Sequence, residues 1–202
     1  MVSLQPPVCN FGWMAHQFDL HGVDGKRHTL ESARGRNGLL VMFICNHCPY
    51  VKAIRDRIVR DTRELMDYGV NSIAIMSNDP AEYAEDSFEN MKLVAQQYNY
   101  PFPYVWDEAQ QVARDYGAVC TPDFFGFNAN LELQYRGRLD ASRKEAATDV
   151  PKVGNPLSAK DDAELTPSRD LFNAMVRVAQ TGQGPREQVA SMGCSIKWRL
   201  PA

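Results

Sequence analysis

The segment Phe43-Ile44-Cys45-Asn46-His47-Cys48-Pro49-Tyr50 sets two thiols three positions apart with an imidazole between them. A disulfide across that spacing closes a very small loop, and cross-link stabilisation grows with loop length, so it contributes little to fold stability. The pair therefore points to electron transfer or metal binding. The nucleophile in thiol chemistry is the thiolate, and a free cysteine with a pKa near 8.5 is only about 3% ionised at neutral pH. Two features predict a lower value here. Pro49 lacks a backbone N–H and fits only the first turn of a helix, so Cys45 and Cys48 fall at or just before a helix N-terminus. Unpaired N–H groups there carry roughly half a positive charge. His47 adds positive charge when protonated. Stabilising the thiolate also stabilises the reduced form, so the disulfide becomes easier to reduce. Cys45 or Cys48 is thus expected to titrate below a free cysteine.

Metal binding is the competing chemistry. Cys45, His47 and Cys48 offer soft ligands for a metal-binding or metal-delivery module, but a closed zinc site takes four ligands. No second Cys-x-x-Cys or histidine pair follows elsewhere in the chain. Haem attachment is excluded, because His47 precedes Cys48 instead of following it. A third reading is a binding protein without redox turnover.

The elements that must position these thiols follow from the flanking pattern. The continuous apolar run 39–44 suits a strand buried on both faces. After Pro49, Val51, Ile54, Ile58, Leu65 and Tyr68 recur at helical spacing, with Gly69 as the stop. Residues 70–76 form a second buried strand. Asp79-Pro80-Ala81-Glu82 reads as an N-cap, a first-turn proline and a capping-box glutamate, opening a helix with Ala84, Phe88, Met91, Ala95 and Tyr98 inward. Residues 103–106 make a short strand. Asp107 is expected to cap a helix with Ala109, Val112, Ala113 and Tyr116 inward and Gly117 at its end. Residues 124–127 and 131–135 form an antiparallel pair. Thr166-Pro167 opens a last helix burying Leu171, Met175 and Val178. Near the start, 18–20 and 26–30 flank a Gly22-Val23-Asp24-Gly25 turn as two strands. Segment 143–165 is read as a loop and 183–202 as an irregular tail. Strands alternating with helices imply a mainly parallel central sheet covered on both faces.

At 202 residues the chain fits a single domain, 1–202, with a sizeable core. Its formal charge is −3, with both signs mixed along the chain and no basic block, which argues against nucleic acid. No apolar run approaches the roughly 18 residues that span a bilayer, so no membrane partner is expected. The start shows no charged segment followed by an apolar one, so a cytoplasmic location is expected. Five cysteines, an odd number, fit poorly with a fully paired scaffold.

Taken together these segments resemble the thioredoxin fold in its peroxiredoxin-like branch, the alkyl hydroperoxide reductase/thiol-specific antioxidant superfamily. The resemblance covers about residues 17–140. It rests on Phe18-Asp19-Leu20 with Gly25-Lys26, on Cys45-Asn46-His47-Cys48 and on Tyr116-Gly117-Ala118-Val119-Cys120-Thr121-Pro122. Gly126-Phe127-Asn128 and Tyr135-Arg136-Gly137 continue it, and Gly193-Cys194-Ser195-Ile196-Lys197-Trp198 resembles the ending of the subgroup with Cys-Asn-His-Cys-Pro-Tyr. It implies an α/β thioredoxin-like fold, a central mixed sheet with helices on both faces and an N-terminal β extension. It also implies a cis Pro122 against the active disulfide, with Thr121 offering a strand edge to an extended substrate; X–Pro is where a cis bond costs only about 0.5–1 kcal/mol.

The implied activity is thiol–disulfide oxidoreductase or peroxiredoxin-like chemistry without an organic cofactor. Its partners are a disulfide or peroxide substrate and an external thiol reductant, such as a thioredoxin system or glutathione. The chain departs from the peroxidatic pattern Pro-x-x-x-Thr/Ser-x-x-Cys, because Cys45 stands at the hydroxyl position and Val41 at the proline. Arg136 and Arg138 are the candidates for an activating arginine. Dithiol–disulfide exchange by Cys45 and Cys48 is therefore better supported than direct peroxide reduction. Cys120 and Cys194 are possible additional thiols, Cys120 near Pro122 and Cys194 on a mobile tail. Cys9 is read as incidental, and His16, His21 and His28 as solvent-facing.

Overall fold

The computed structural model of the chain describes residues 3–141 and 168–199. The two readings at 143–165 and at Thr166-Pro167 lie outside them. A seven-stranded sheet in the order β3-β2-β6-β5-β4-β8-β9 forms the centre. Its strands are β2 (Asp19–Gly22), β3 (Arg27–Thr29), β4 (Gly38–Phe43), β5 (Val70–Met76), β6 (Tyr104–Trp106), β8 (Asp123–Asn128) and β9 (Leu133–Tyr135). Only β4–β5 and β5–β6 are parallel; the other neighbours are antiparallel. The sheet is therefore mixed, not mainly parallel. Hairpins at both edges, β2–β3 and β8–β9, turn the chain back where a helical crossover is absent.

Alternation along β4 explains the two layers. Leu40 and Met42 pack in one apolar cluster with α2 (Pro49–Leu65), Met91 of α3 (Phe88–Gln97) and α5 (Asp170–Thr181). Leu39, Val41 and Phe43 pack in the other with α1 (Leu30–Ala33), α4 (Gln111–Asp115) and the N-terminal hairpin. All six β4 residues are buried. Each fully buried large apolar side chain contributes roughly 1.5–3 kcal/mol. The helix after Cys48 runs as read to Leu65, tightens into a 3₁₀ turn over Met66–Tyr68, and stops at Gly69 with φ 73°. That left-handed backbone suits glycine.

Three sequence expectations are corrected. The Asp79 signal opens no helix: its carboxylate instead accepts from the Ala81 N–H at 3.1 Å, and α3 starts nine residues later with Ser87 as N-cap. Ala84, expected inward, is exposed in a 3₁₀ turn over Ala84–Asp86. Asp107 does hold the start of α4, accepting from Ala113 N at 2.9 Å, but Ala109 lies exposed in the intervening turn. The tail is not irregular throughout. Residues Gly193–Ser195 form β10, which sits between β1 (Ser3–Leu4) and β7 (Cys120–Thr121) in a second, three-stranded sheet.

Candidate active site

Cys48 is the N-cap residue of α2 and Pro49 occupies its first position, so the geometry read from the spacing holds. Cys45 and Cys48 are both buried, at 1% and 0% exposure. The Thr121–Pro122 bond is cis, and the end of β7 lies against both sulfurs. Thr121 Oγ1 lies 3.2 Å from Cys45 Sγ, and the Thr121 carbonyl oxygen lies 3.1 Å from Cys48 Sγ. Cys194, on β10, places its Sγ 3.0 Å from Cys48 Sγ. The tail thiol is thus an ordered, buried member of the site and not a mobile group.

A carboxylate that local pattern did not reveal organises the other side. Asp86 accepts from the backbone N–H of Asn46 (2.8 Å) and of His47 (3.1 Å), from His47 Nδ1 (2.5 Å) and from Asn78 Nδ2 (2.9 Å). Burial pushes the Asp86 carboxyl up, but the bonds from His47 and Asn78 outweigh it and hold the group below the usual carboxylate range. The same Nδ1 that donates to Asp86 lies 3.6 Å from Cys45 Sγ, so His47 sits between the carboxylate and the sulfur. Its ring stacks on Tyr83 with centroids 3.9 Å apart.

The two thiols are driven in opposite directions. Burial pushes Cys45 well above an ordinary thiol; its hydrogen bond to Cys48 and the nearby Asp86 charge add to this, and the Thr121 bond opposes it. Cys48 is brought down to about 5, first by the hydrogen bond from Cys45, against burial, and then by bonds from the Cys194 thiol and from the Val51 and Cys194 backbone N–H groups. Ionisation forfeits the bond that the Cys48 thiol donates to the Thr121 carbonyl. The four donors outweigh that loss. These shifts favour charge on Cys48 and a proton on Cys45.

The remaining expected residues fall outside this charge relay. Cys120 is buried, donates toward the Pro122 carbonyl at 3.6 Å, and has its pKa pushed far up by burial. Half-buried Cys9 is pushed up to about 11, again by burial. Arg136 pairs with Asp123 at 3.0 Å and Arg138 with Asp170 at 2.6 Å, so both candidate arginines are committed to carboxylates. His16 and His21 are exposed, as read, while His28 is half-buried and pairs with Asp24. The metal-ligand set expected from sequence does not assemble. Among the described residues, the group with ligand atoms within 4.8 Å of one another is Cys45, His47 and Asp86, without Cys48. Three donors fall short of a closed tetrahedral set, and Asp86 is already saturated by four N–H bonds. A cleft of about 440 Å³ opens beside Pro122, with Tyr50, Ile54, Phe124, Leu139 and Met192 among its walls.

Sequence reasoning missed Asp86, Asn78 and Tyr83. One signal was available: Asn46 and His47 lie in a loop too tight to pair their own N–H groups, which demands an acceptor from elsewhere.

Comparison with known proteins places the family and the fold. The AhpC/TSA family profile matches residues 11–138. A crystal structure of an uncharacterized conserved protein from Geobacillus kaustophilus is 40% identical, with a TM-score of 0.83, over 100% of this chain and 99% of that one. A hypothetical protein from Sinorhizobium meliloti 1021 is 33% identical, also at 0.83, over 98% and 99%. The thioredoxin domain of a Bacteroides vulgatus thiol-disulfide oxidoreductase shares the fold at 16% identity, TM-score 0.53, over 64% of this chain and 89% of that one. A search of curated proteins finds no match. No helix among the described residues is long and apolar enough to cross a membrane.

Proposed function

This chain belongs to the AhpC/TSA family, and we propose that it is a thiol-dependent oxidoreductase in which Cys48 is the attacking thiolate. The observation that carries the reading is the setting of the Cys48 sulfur, at the N-cap of α2 and 3.0 Å from Cys194 Sγ, and the opposed pKa directions of the two buried thiols agree with it. With a hydroperoxide, the Cys48 sulfur forms an S–O bond as the O–O bond breaks, giving a sulfenic acid and an alcohol. Loss of the Cys48 charge removes one cause of the high Cys45 pKa, so ionisation of Cys45 is less opposed after the first step. The Cys45 sulfur then closes a Cys45–Cys48 disulfide and water leaves. With a disulfide substrate, the same Cys48 thiolate forms a mixed disulfide and Cys45 displaces the substrate thiol. An external dithiol of the thioredoxin type, or two molecules of a monothiol such as glutathione, returns both electrons, in a reducing cytoplasm.

His47 orients Cys45 through Asp86 in this reading, and Pro122 shapes the approach to Cys48. Peroxide consumption and disulfide reduction, measured side by side, test it. Cys48→Ser is expected to lose both activities by at least about 100-fold. Cys45→Ser is expected to keep one round of Cys48 oxidation and to lose turnover. Unchanged rates in Cys48→Ser would overturn the reading.

A further inference from the structure

Resting on that reading, we propose that β10 is an intramolecular substrate strand: oxidised Cys48 is captured first by Cys194, and Cys45 afterwards takes over the disulfide. Four observations carry this. First, the backbone edge beside cis Pro122, which an extended external substrate would need, is already filled. β10 pairs antiparallel with β7 in the register Cys194↔Thr121 and Ser195↔Cys120. Second, the register delivers Cys194 Sγ to 3.0 Å from Cys48 Sγ. A disulfide measures about 2.05 Å, so bond formation needs a closure of about 1 Å.

Third, the strand is shaped for this approach. A Cβ on Gly193 would stand 2.2 Å from the Thr121 carbonyl oxygen and 3.0 Å from Pro122 N. Fourth, β10 is held on both sides of Cys194 by bonds that do not involve sulfur. Ser191 Oγ donates to the Pro122 carbonyl at 2.9 Å, Ile196 N to the Val119 carbonyl at 3.2 Å, and Lys197 N to Asn78 Oδ1 at 2.9 Å. Cys194, like Cys48, is about 1% exposed or less. While β10 is seated, an extended protein disulfide finds this edge occupied, and the step that starts the sequence is oxidation by a small hydroperoxide, which needs no strand edge.

The steps balance. Hydroperoxide oxidises Cys48 to the sulfenic acid and leaves as an alcohol. Cys194 attacks Cys48 Sγ; the S–S bond forms, the S–O bond breaks and water departs with the Cys194 proton. Cys45 then attacks Cys48 Sγ; the Cys45–Cys48 bond forms, the Cys48–Cys194 bond breaks, and Cys194 takes up the proton that Cys45 released. The two electrons lost to the hydroperoxide are returned once, by the external dithiol. The first disulfide pins the tail strand covalently, and the second leaves it held by hydrogen bonds alone.

The test uses the full chain, one equivalent of hydrogen peroxide, acid quench over a time course and disulfide mapping by mass spectrometry. The Cys48–Cys194 link is expected to appear first and to decay as Cys45–Cys48 grows. Cys45→Ser is expected to accumulate Cys48–Cys194 nearly quantitatively. Cys194→Ser is expected to lengthen the sulfenic acid lifetime about tenfold or more, read by trapping with a 1,3-diketone. The inference is overturned if wild type shows only Cys45–Cys48 at every time and Cys45→Ser accumulates sulfenic acid with Cys194 still a thiol. Failure of the underlying reading looks different: Cys48 itself stays unoxidised.

Discussion

The thiol pair sits between two walls of unlike chemistry. On one side, the turn before α3 presents Asp86, a fixed negative charge, with Asn78 and Tyr83 around His47. On the other, β7 and β10 present backbone groups and the Cys194 sulfur to Cys48. The first wall works against a thiolate on Cys45, and the second supplies donors to a thiolate on Cys48. Two sulfurs in one loop are thereby made unequal. A helix N-terminus stabilises any nearby anion by only about 0.3–1 kcal/mol, rising to about 2 in partly buried settings. Burial and the hydrogen bond between the two sulfurs act first, and the walls add to the same choice between neighbouring thiols.

The largest effect expected from this contrast is in titration. Ultraviolet thiolate absorbance of the reduced protein should show one step near pH 5, from Cys48, and none from Cys45 until well above the ordinary thiol range. At neutral pH that leaves Cys48 about 99% ionised, against about 3% for a free cysteine. Cys48→Ser should remove the step. The stability consequence has a definite sign. Between about pH 5 and about 9 the unfolded chain holds a proton on Cys48 that the folded chain lacks, so stability rises with pH across that window and is lost as pH falls through about 5. Denaturant midpoints across the window should slope upward in wild type and flatten in Cys48→Ser. A first thiolate step above pH 8 would abolish the contrast.

Removing the charge of the polar wall is the next largest perturbation. Asp86→Asn keeps the shape but replaces an acceptor-only group that receives four N–H bonds. Hydrogen bonds to a buried charge are worth about 1.5–3 kcal/mol each, and breaking a buried pair costs about 3–5 kcal/mol. A loss of about 3 kcal/mol in chemical denaturation is expected. Because the Asp86 charge is one cause of the raised Cys45 value, that thiol should titrate lower in the variant while Cys48 moves less. Asp86→Glu, which keeps the charge, should leave Cys45 high. Equal movement of both thiols in Asp86→Asn would show that the walls act as one environment.

The strand and helix that carry the thiol pair were legible in the sequence, and much of both walls around it was not. The run 70–76 and the helix after Pro49 announce themselves through continuous or periodic apolar residues, and observed bounds agree closely. Pro122 was legible only through resemblance, since nothing local distinguishes its bond from a trans one. The Asp79-Pro80-Ala81-Glu82 signal obeys local capping rules, yet Asp79 closes a turn instead, and the residues before Ser87 carry Asp86 to the thiol loop. Asp86 itself is one acid among Glu82, Glu85 and Glu89, and its role depends on Asn46 and His47 forty residues away. β10 is three residues long and pairs with Thr121 across more than seventy positions, too short for periodicity and too distant for any local rule.

The smallest predicted change isolates one contact between the walls. Thr121 touches Cys45 with its hydroxyl and Cys48 with its carbonyl oxygen. Thr121→Val removes the first and keeps the second, because the backbone and the β7–β10 register do not depend on the hydroxyl. A cost of about 1 kcal/mol is expected from the lost hydrogen bond. The Thr121 bond lowers the Cys45 value, so Cys45 should move further up, while the Cys48 step stays within about half a unit of wild type. In a peroxide time course, formation of Cys45–Cys48 should slow while initial oxidation of Cys48 keeps its rate. If the Cys48 oxidation rate fell as far as disulfide closure, Thr121 would be setting the shape of both thiols through β7 and not addressing Cys45 alone.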